Sequence, residues 1–92
     1  MAREKKLLKV LLHLKAAKVL LSLTDGPKYA TIISKKIDCT YSHTMKLLDL
    51  FKEMKLLEFE KRGRIKIIRL TEKGEAVARA LQNLVTTISQ IS

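Results

Sequence analysis

The hydrophobic rhythm of this chain changes along its length. From Tyr41 to Met54 the apolar positions recur at helical spacing: Thr44, Leu47, Leu48 and Phe51 form one stripe. Ser42, Met45, Lys46 and Asp49 fall on the opposite side, with Tyr41 and His43 near the first turn. This is the clearest amphipathic helix. Then the period drops to two in Leu57-Glu58-Phe59-Glu60, as expected of a half-buried strand. Lys61-Arg62-Gly63-Arg64 reads as a turn, and the β-branched run Ile65 to Leu70 as the returning strand. Ile67 and Ile68 are adjacent, so the pattern does not say which face of that strand is buried. Thr71 is placed to cap a last helix, with Glu72 in its positive first turn, running to about Gln90.

The N-terminal third is less regular. Arg3 to Leu23 contains strong helix formers and no Gly or Pro, which favours a helix. Its polar face moves, however. Lys5, Lys6, Lys9 and His13 share one side of the first half, and Lys15, Lys18 and Ser22 nearly the opposite side of the second. One helix burying two faces, a kink near His13 and a strand at Leu8–Leu14 all fit this pattern. Thr24-Asp25-Gly26-Pro27 ends the element. A short helix follows, roughly Tyr29 to Ile37, with Ala30, Ile33 and Ile37 on one face. Asp38-Cys39-Thr40 is a turn in which Asp38 or Thr40 can cap the next helix. The three glycines and the one proline are expected at separate turns.

The predicted class is mainly α with a small β-hairpin (α+β), in one domain spanning 1–92. Residues 1–14 form an N-terminal extension and 75–92 the C-terminal helix. Composition then narrows the function. Nineteen basic residues against nine acidic give a net charge of +10, and 47% hydrophobic content makes the chain foldable. A folded, strongly basic domain is suited to a polyanion, nucleic acid above all. Aromatic content of 4% argues against base-stacking readout of single strands. Lys9, Lys15 and Lys18 interrupt the apolar N-terminus, so no membrane partner and no signal peptide are expected. The single Cys39 with His13 and His43 offers no metal set and no intrachain disulfide, and no cofactor is expected. No nucleophile or acid–base set is visible, so an enzyme is not expected. The expected location is cytoplasmic and nucleoid-associated.

A short helix and a longer one joined by a tight turn form a helix-turn-helix, and a basic hairpin directly after it is a wing. Here the chain resembles the winged helix-turn-helix transcription regulators, particularly small archaeal ones and the MarR-like group. The resemblance is carried by Tyr29-Ala-Thr-Ile-Ile-Ser-Lys-Lys-Ile37, Thr40-Tyr-Ser-His-Thr-Met-Lys-Leu-Leu48, Phe51-Lys-Glu-Met-Lys-Leu-Leu57 and Leu70-Thr-Glu-Lys-Gly74, and covers about residues 16–80. Lys55 stands where such proteins often have glycine before the wing. The resemblance implies a winged helix-turn-helix with extra N- and C-terminal helices. It also implies double-stranded DNA as partner, with helix 41–54 in the major groove and wing 58–69 on the minor groove or backbone.

Physical chemistry assigns the candidate contacts. Tyr41, Ser42, His43, Met45 and Lys46 would face base edges. Asp49 would be tolerated there if it reads cytosine or orients a neighbour. Lys61, Arg62, Gly63 and Arg64 at the wing would reach the minor groove or flanking phosphates, and Lys28, Lys35 and Lys36 the phosphates. Cys39, Tyr29, Phe51 and Phe59 read as core rather than as ligand-binding or stacking groups. Net charge is +4 over residues 1–27, +6 over 28–69 and zero over 70–92. The neutral last helix instead spaces Val77, Leu81, Leu84, Ile88 and Ile91 as a coiled-coil seam. With Leu8 and Leu11 it is the expected homodimer surface; termini packed on each other in a monomer is the competing arrangement. Two other functions fit the same charge: a non-specific architectural chromatin protein, and a winged-helix interaction subunit of a replication or transcription complex.

Overall fold

The computed structural model of the protein describes residues 13–91. Helix α1 spans Leu14–Ser22, strand β1 Lys28–Tyr29, helix α2 Ala30–Lys36 and helix α3 Tyr41–Glu53. Strands β2 (Leu57–Arg62) and β3 (Ile65–Leu70) form the hairpin, and α4 spans Glu72–Ile91. The three strands make one antiparallel sheet in the order β1-β3-β2. The readings of residues 1–12, including Leu8 and Leu11, lie outside the described residues.

Spacing of apolar residues explains the core. In α1, Ala16, Val19, Leu20 and the following Leu23 form a continuous buried row. They meet Ile33 and Ile37 from α2, Leu48 and Phe51 from α3, Leu57 and Ile68 from the sheet, and Ala78 from α4. Thr44 is the one fully buried polar side chain of α3 in this group; its hydroxyl donates to the Thr40 carbonyl at 2.9 Å, so no polar atom is orphaned.

The turns carry two left-handed residues that are not glycine. Asp38 follows α2 at φ 54°, and Lys55 follows α3 at φ 63°. Both sit in the same hydrogen-bond pattern. After α3, Leu56 N–H donates to the Phe51 carbonyl at 3.0 Å and Lys55 N–H to Lys52 at 3.0 Å. After α2, Cys39 N–H donates to Ser34 at 3.0 Å and Asp38 N–H to Lys35 at 3.2 Å. These are Schellman closures, in which the left-handed residue lets the chain satisfy the last helical carbonyls. Lys55 therefore does the geometric work expected of glycine, at a steric cost.

Several expectations are corrected. Lys28 and Tyr29 are not the start of the short helix; they pair with Ile68 and Ile67 as β1, and Tyr29 is exposed there rather than part of the core. Pro27 sets this up, because it cannot continue a helix and has no N–H to give. The wing turn is also tighter than expected. Lys61 and Arg62 are strand residues, and Arg62 pairs with Ile65 across a two-residue loop of Gly63 and Arg64. Gly63 takes φ +61° at the first loop position, where a II′ hairpin turn needs glycine. Gly74 is not at a turn at all. It lies in the first turn of α4, where a Cβ would stand 1.8 Å from the Leu56 carbonyl oxygen. Thr71 caps that helix as expected, accepting from Gly74 N–H at 3.1 Å, and its hydroxyl also donates to the Lys55 carbonyl at 2.6 Å. The start of α4 is thereby tied to the end of α3.

Candidate nucleic-acid interface

Helix α3 begins with a side-chain cap. Thr40 Oγ1 accepts from His43 N–H at 3.2 Å, satisfying one of the open donors of the first turn. With Thr44, Leu48 and Phe51 turned into the core, helical geometry directs Ser42 and Lys46 outward, one turn apart. Tyr41, Ser42, His43 and Lys46 are all exposed, as is Asp49 further along. Met45 differs from them: it lies on the flank of the helix, half-buried and packed against the core.

The candidate basic residues separate into two groups. Lys35, Lys36, Lys46, Lys61 and Arg64 are exposed and make no ion pair with a carboxylate among the described residues. Lys35 and Lys36 end α2, where cations also favour the helix dipole. Lys28 and Arg62 are matched by acids, as is Arg69, a base the sequence did not single out. Lys28, with only 14% of its side chain exposed, bonds Asp25. Arg62 Nε donates to Glu60 Oε1 at 3.2 Å, and Arg69 Nη2 to Glu60 Oε2 at 2.6 Å. The Lys28 hydrogen bond is the main cause that holds the Asp25 carboxyl below its usual range. These three cations line one shallow cleft with Pro27, Tyr29, Ile32 and Ile67, between the start of α2 and the hairpin.

Strand register explains the Glu60 arrangement. Glu60 and Arg62 are two apart on β2 and so share a face, and Arg69 is diagonal to Glu60 because Glu60 stands opposite Ile67. A two-residue loop placed on Gly63 and Arg64 would have shown this from sequence; a four-residue loop hides it. Two more roles were not legible. Lys15 reaches across from α1 and donates to the Ile37 and Asp38 carbonyls at 2.7 and 2.9 Å, capping α2 beside the turn. Lys52 and Lys66 stand 4.7 and 5.8 Å from the centroid of the Phe59 ring. Nothing in a linear sequence places those ammoniums over one aromatic side chain.

Cys39 is half-buried against the core, matching the filler role expected of it. The seam expected of α4 divides in two. Val77 and Leu81 pack partly onto the domain's own core, whereas Leu84, Val85, Ile88 and Ile91 stay 55%, 43%, 54% and 82% exposed. Among the described residues no helix is long and apolar enough to cross a membrane.

No family model matches the chain. A relative does: an uncharacterized protein of Archaeoglobus fulgidus is 32% identical over 83 residues, covering 85% of this chain and 87% of its own. Among solved structures, the fold is similar to the crystal structure of AF1382 from Archaeoglobus fulgidus, with TM-score 0.78, 32% identity, and coverage of 87% of this chain and 93% of that one. HlyU from Vibrio cholerae N16961 aligns with TM-score 0.78 at 19% identity, over 90% of this chain and 91% of that protein. The MarR family transcriptional regulator SPO1453 from Silicibacter pomeroyi also aligns with TM-score 0.78, at 22% identity; this chain spans 85% of itself but only 57% of that regulator.

Proposed function

Because the chain belongs to the family of the Archaeoglobus fulgidus protein AF1382 and has the winged helix-turn-helix fold of MarR-like regulators, we propose that it is a regulator that binds double-stranded DNA. Helix α3 enters the major groove with Tyr41, Ser42, His43 and Lys46 toward base edges, and the Met45 flank reaches a thymine methyl. Lys61, Gly63 and Arg64 of the wing, with Arg62, follow the minor groove or the flanking phosphates. Lys35 and Lys36 grip phosphate, and Lys28 adds its charge from the side. The observation that carries this reading is the placement of unpaired cations. Lys35, Lys36, Lys46, Lys61 and Arg64 are exposed on α2, α3 and the hairpin, and none makes an ion pair with a carboxylate among the described residues.

The protein acts as a homodimer through the second half of α4. Leu84 and Val85 leave apolar surface on a neutral helix that its own domain does not cover. Isologous packing of two such helices would set the two copies of α3 on half-sites about 34 Å apart.

Selection of bound duplexes from a random pool tests the reading. The expected result is a palindromic site, with a log–log salt slope of about −4 to −7 for roughly 4–8 neutralised phosphates. Equal affinity for selected and random duplexes would point instead to an architectural role. Failure to bind any duplex at low salt would leave the basic surface to an acidic protein partner.

A further inference from the structure

The cations of this surface are not equally available, and the difference follows the fold. Lys35 and Lys36 on α2, Lys46 on α3, and Lys61 and Arg64 on the hairpin have no carboxylate within ion-pair distance among the described residues. In the cleft between the start of α2 and the hairpin, every cation has one: Asp25 for Lys28, and Glu60 for both Arg62 and Arg69. Glu60 uses both of its carboxylate oxygens, each on a different guanidinium. A carboxylate held between two guanidiniums occupies the place a phosphate oxygen pair would take, and carries the same single charge as a phosphodiester.

The pairing is also easy to exchange. Glu60, Arg62 and Arg69 keep 39%, 69% and 46% of their side chains exposed. Exposed ion pairs shift an equilibrium only by a factor of about 1.5 to 5 each. Arg62 commits its Nε alone, so its terminal nitrogens remain turned to solvent for a first contact.

We propose that Glu60 is an internal competitor for DNA phosphate. In the free protein it occupies Arg62 and Arg69, and the duplex must displace it to gain them. The proposal rests on the DNA-binding reading above and adds a consequence to it. Sequence-independent grip is held down by Glu60, while base contacts through Ser42 and Lys46 are untouched by it. Glu60 therefore lowers affinity for every duplex alike and leaves discrimination between sequences to the base contacts.

The test is fluorescence anisotropy of a labelled random-sequence duplex with the full chain, titrated with salt from about 50 to 300 mM. Glu60→Gln keeps the size and shape and removes the charge. It is expected to bind the random duplex about three- to tenfold more tightly, and its salt slope to steepen by about 1. Glu60→Asp, which keeps the charge, is expected to stay near the parent protein. The gain must also depend on the arginines. In an Arg62→Ala/Arg69→Ala background the same Glu60→Gln change is expected to give little, since no guanidinium is left to release. Thermal unfolding of each variant shows that the fold is kept.

Glu60→Gln binding no more tightly than the parent would overturn the proposal while leaving DNA binding intact. An equal gain in the arginine-free background would also overturn it, because the effect would then be bulk charge. A parent protein that binds no duplex at the lowest salt would instead sink the DNA-binding reading itself.

Discussion

Replacing Gly74 with alanine should destabilise the protein, although the rule for helices points the other way. In an exposed helix interior, glycine to alanine gains about 1 kcal/mol. Gly74 is buried, and its missing Cβ is what lets α4 lie against the chain leaving α3. A Cβ there would stand 1.8 Å from the Leu56 oxygen, 2.8 Å from the Leu56 carbonyl carbon and 3.1 Å from Leu70 Cδ2. Two of those atoms are backbone, so no rotamer change relieves the overlap. The helix start must move by about 1.5 Å to reach ordinary contact, close to 3.4 Å. That movement strains the Thr71 N–H bond to the Leu56 carbonyl at 3.0 Å and the Thr71 hydroxyl bond to Lys55 at 2.6 Å. Overpacking costs about 1–3 kcal/mol and each weakened hydrogen bond about 1 kcal/mol. After the propensity gain, a net loss of about 2–4 kcal/mol is expected. For a domain of this size that lowers Tm by roughly 8–30 °C. Circular dichroism melts and urea titrations of the two proteins measure it. A Gly74→Ala variant as stable as the parent, or more so, would refute the reasoning, since it would mean the contact is not rigid.

Lys55→Gly should have the opposite sign: relieving a left-handed non-glycine residue is expected to stabilise by about 1 kcal/mol, read as a higher urea midpoint with an unchanged slope. Arg64→Ala should weaken all duplexes alike and reduce the salt slope by about 1, whereas Ser42→Ala should alter base preference within the site; identical behaviour would remove the base-readout role. Leu84→Glu places a charge in the proposed helix–helix contact and should give monomers in light scattering at micromolar concentration, with its Tm in dilute solution little changed because Leu84 is already exposed. Asp25 has a carboxyl held below its ordinary value by Lys28. Its contribution is present above about pH 4 and is lost as pH falls through the depressed value, so the stability difference between the parent and Asp25→Asn should shrink in acid melts.

The sequence by itself determined most of the scaffold. Apolar spacing found a helix leading up to Leu23 without settling its start, α3 and its Thr44–Leu48–Phe51 stripe, both hairpin strands and the Thr71 cap, because periodicity and capping are local and need no knowledge of the fold. It also put the net charge outside α4 and Ser42 and Lys46 on the outer face of α3. What it left open depended on residues far apart in the chain. The choice between Ile67 and Ile68 needed the sheet to be packed before Ile68 could be buried. β1 exists because Lys28 and Tyr29 find β3 almost forty residues on, a pairing two residues cannot announce. The need for Gly74 comes from one carbonyl of another segment. The charges show the same limit most clearly. Counting bases gives one surplus of +10, but only the tertiary structure decides which cations are spent. Lys15 goes to helix carbonyls, Lys28 to Asp25, and Arg62 and Arg69 to Glu60, while Lys46, Lys61 and Arg64 make no ion pair among the described residues. Electrostatic pairing acts over a few ångströms, and those distances are set by packing and register rather than by order along the chain.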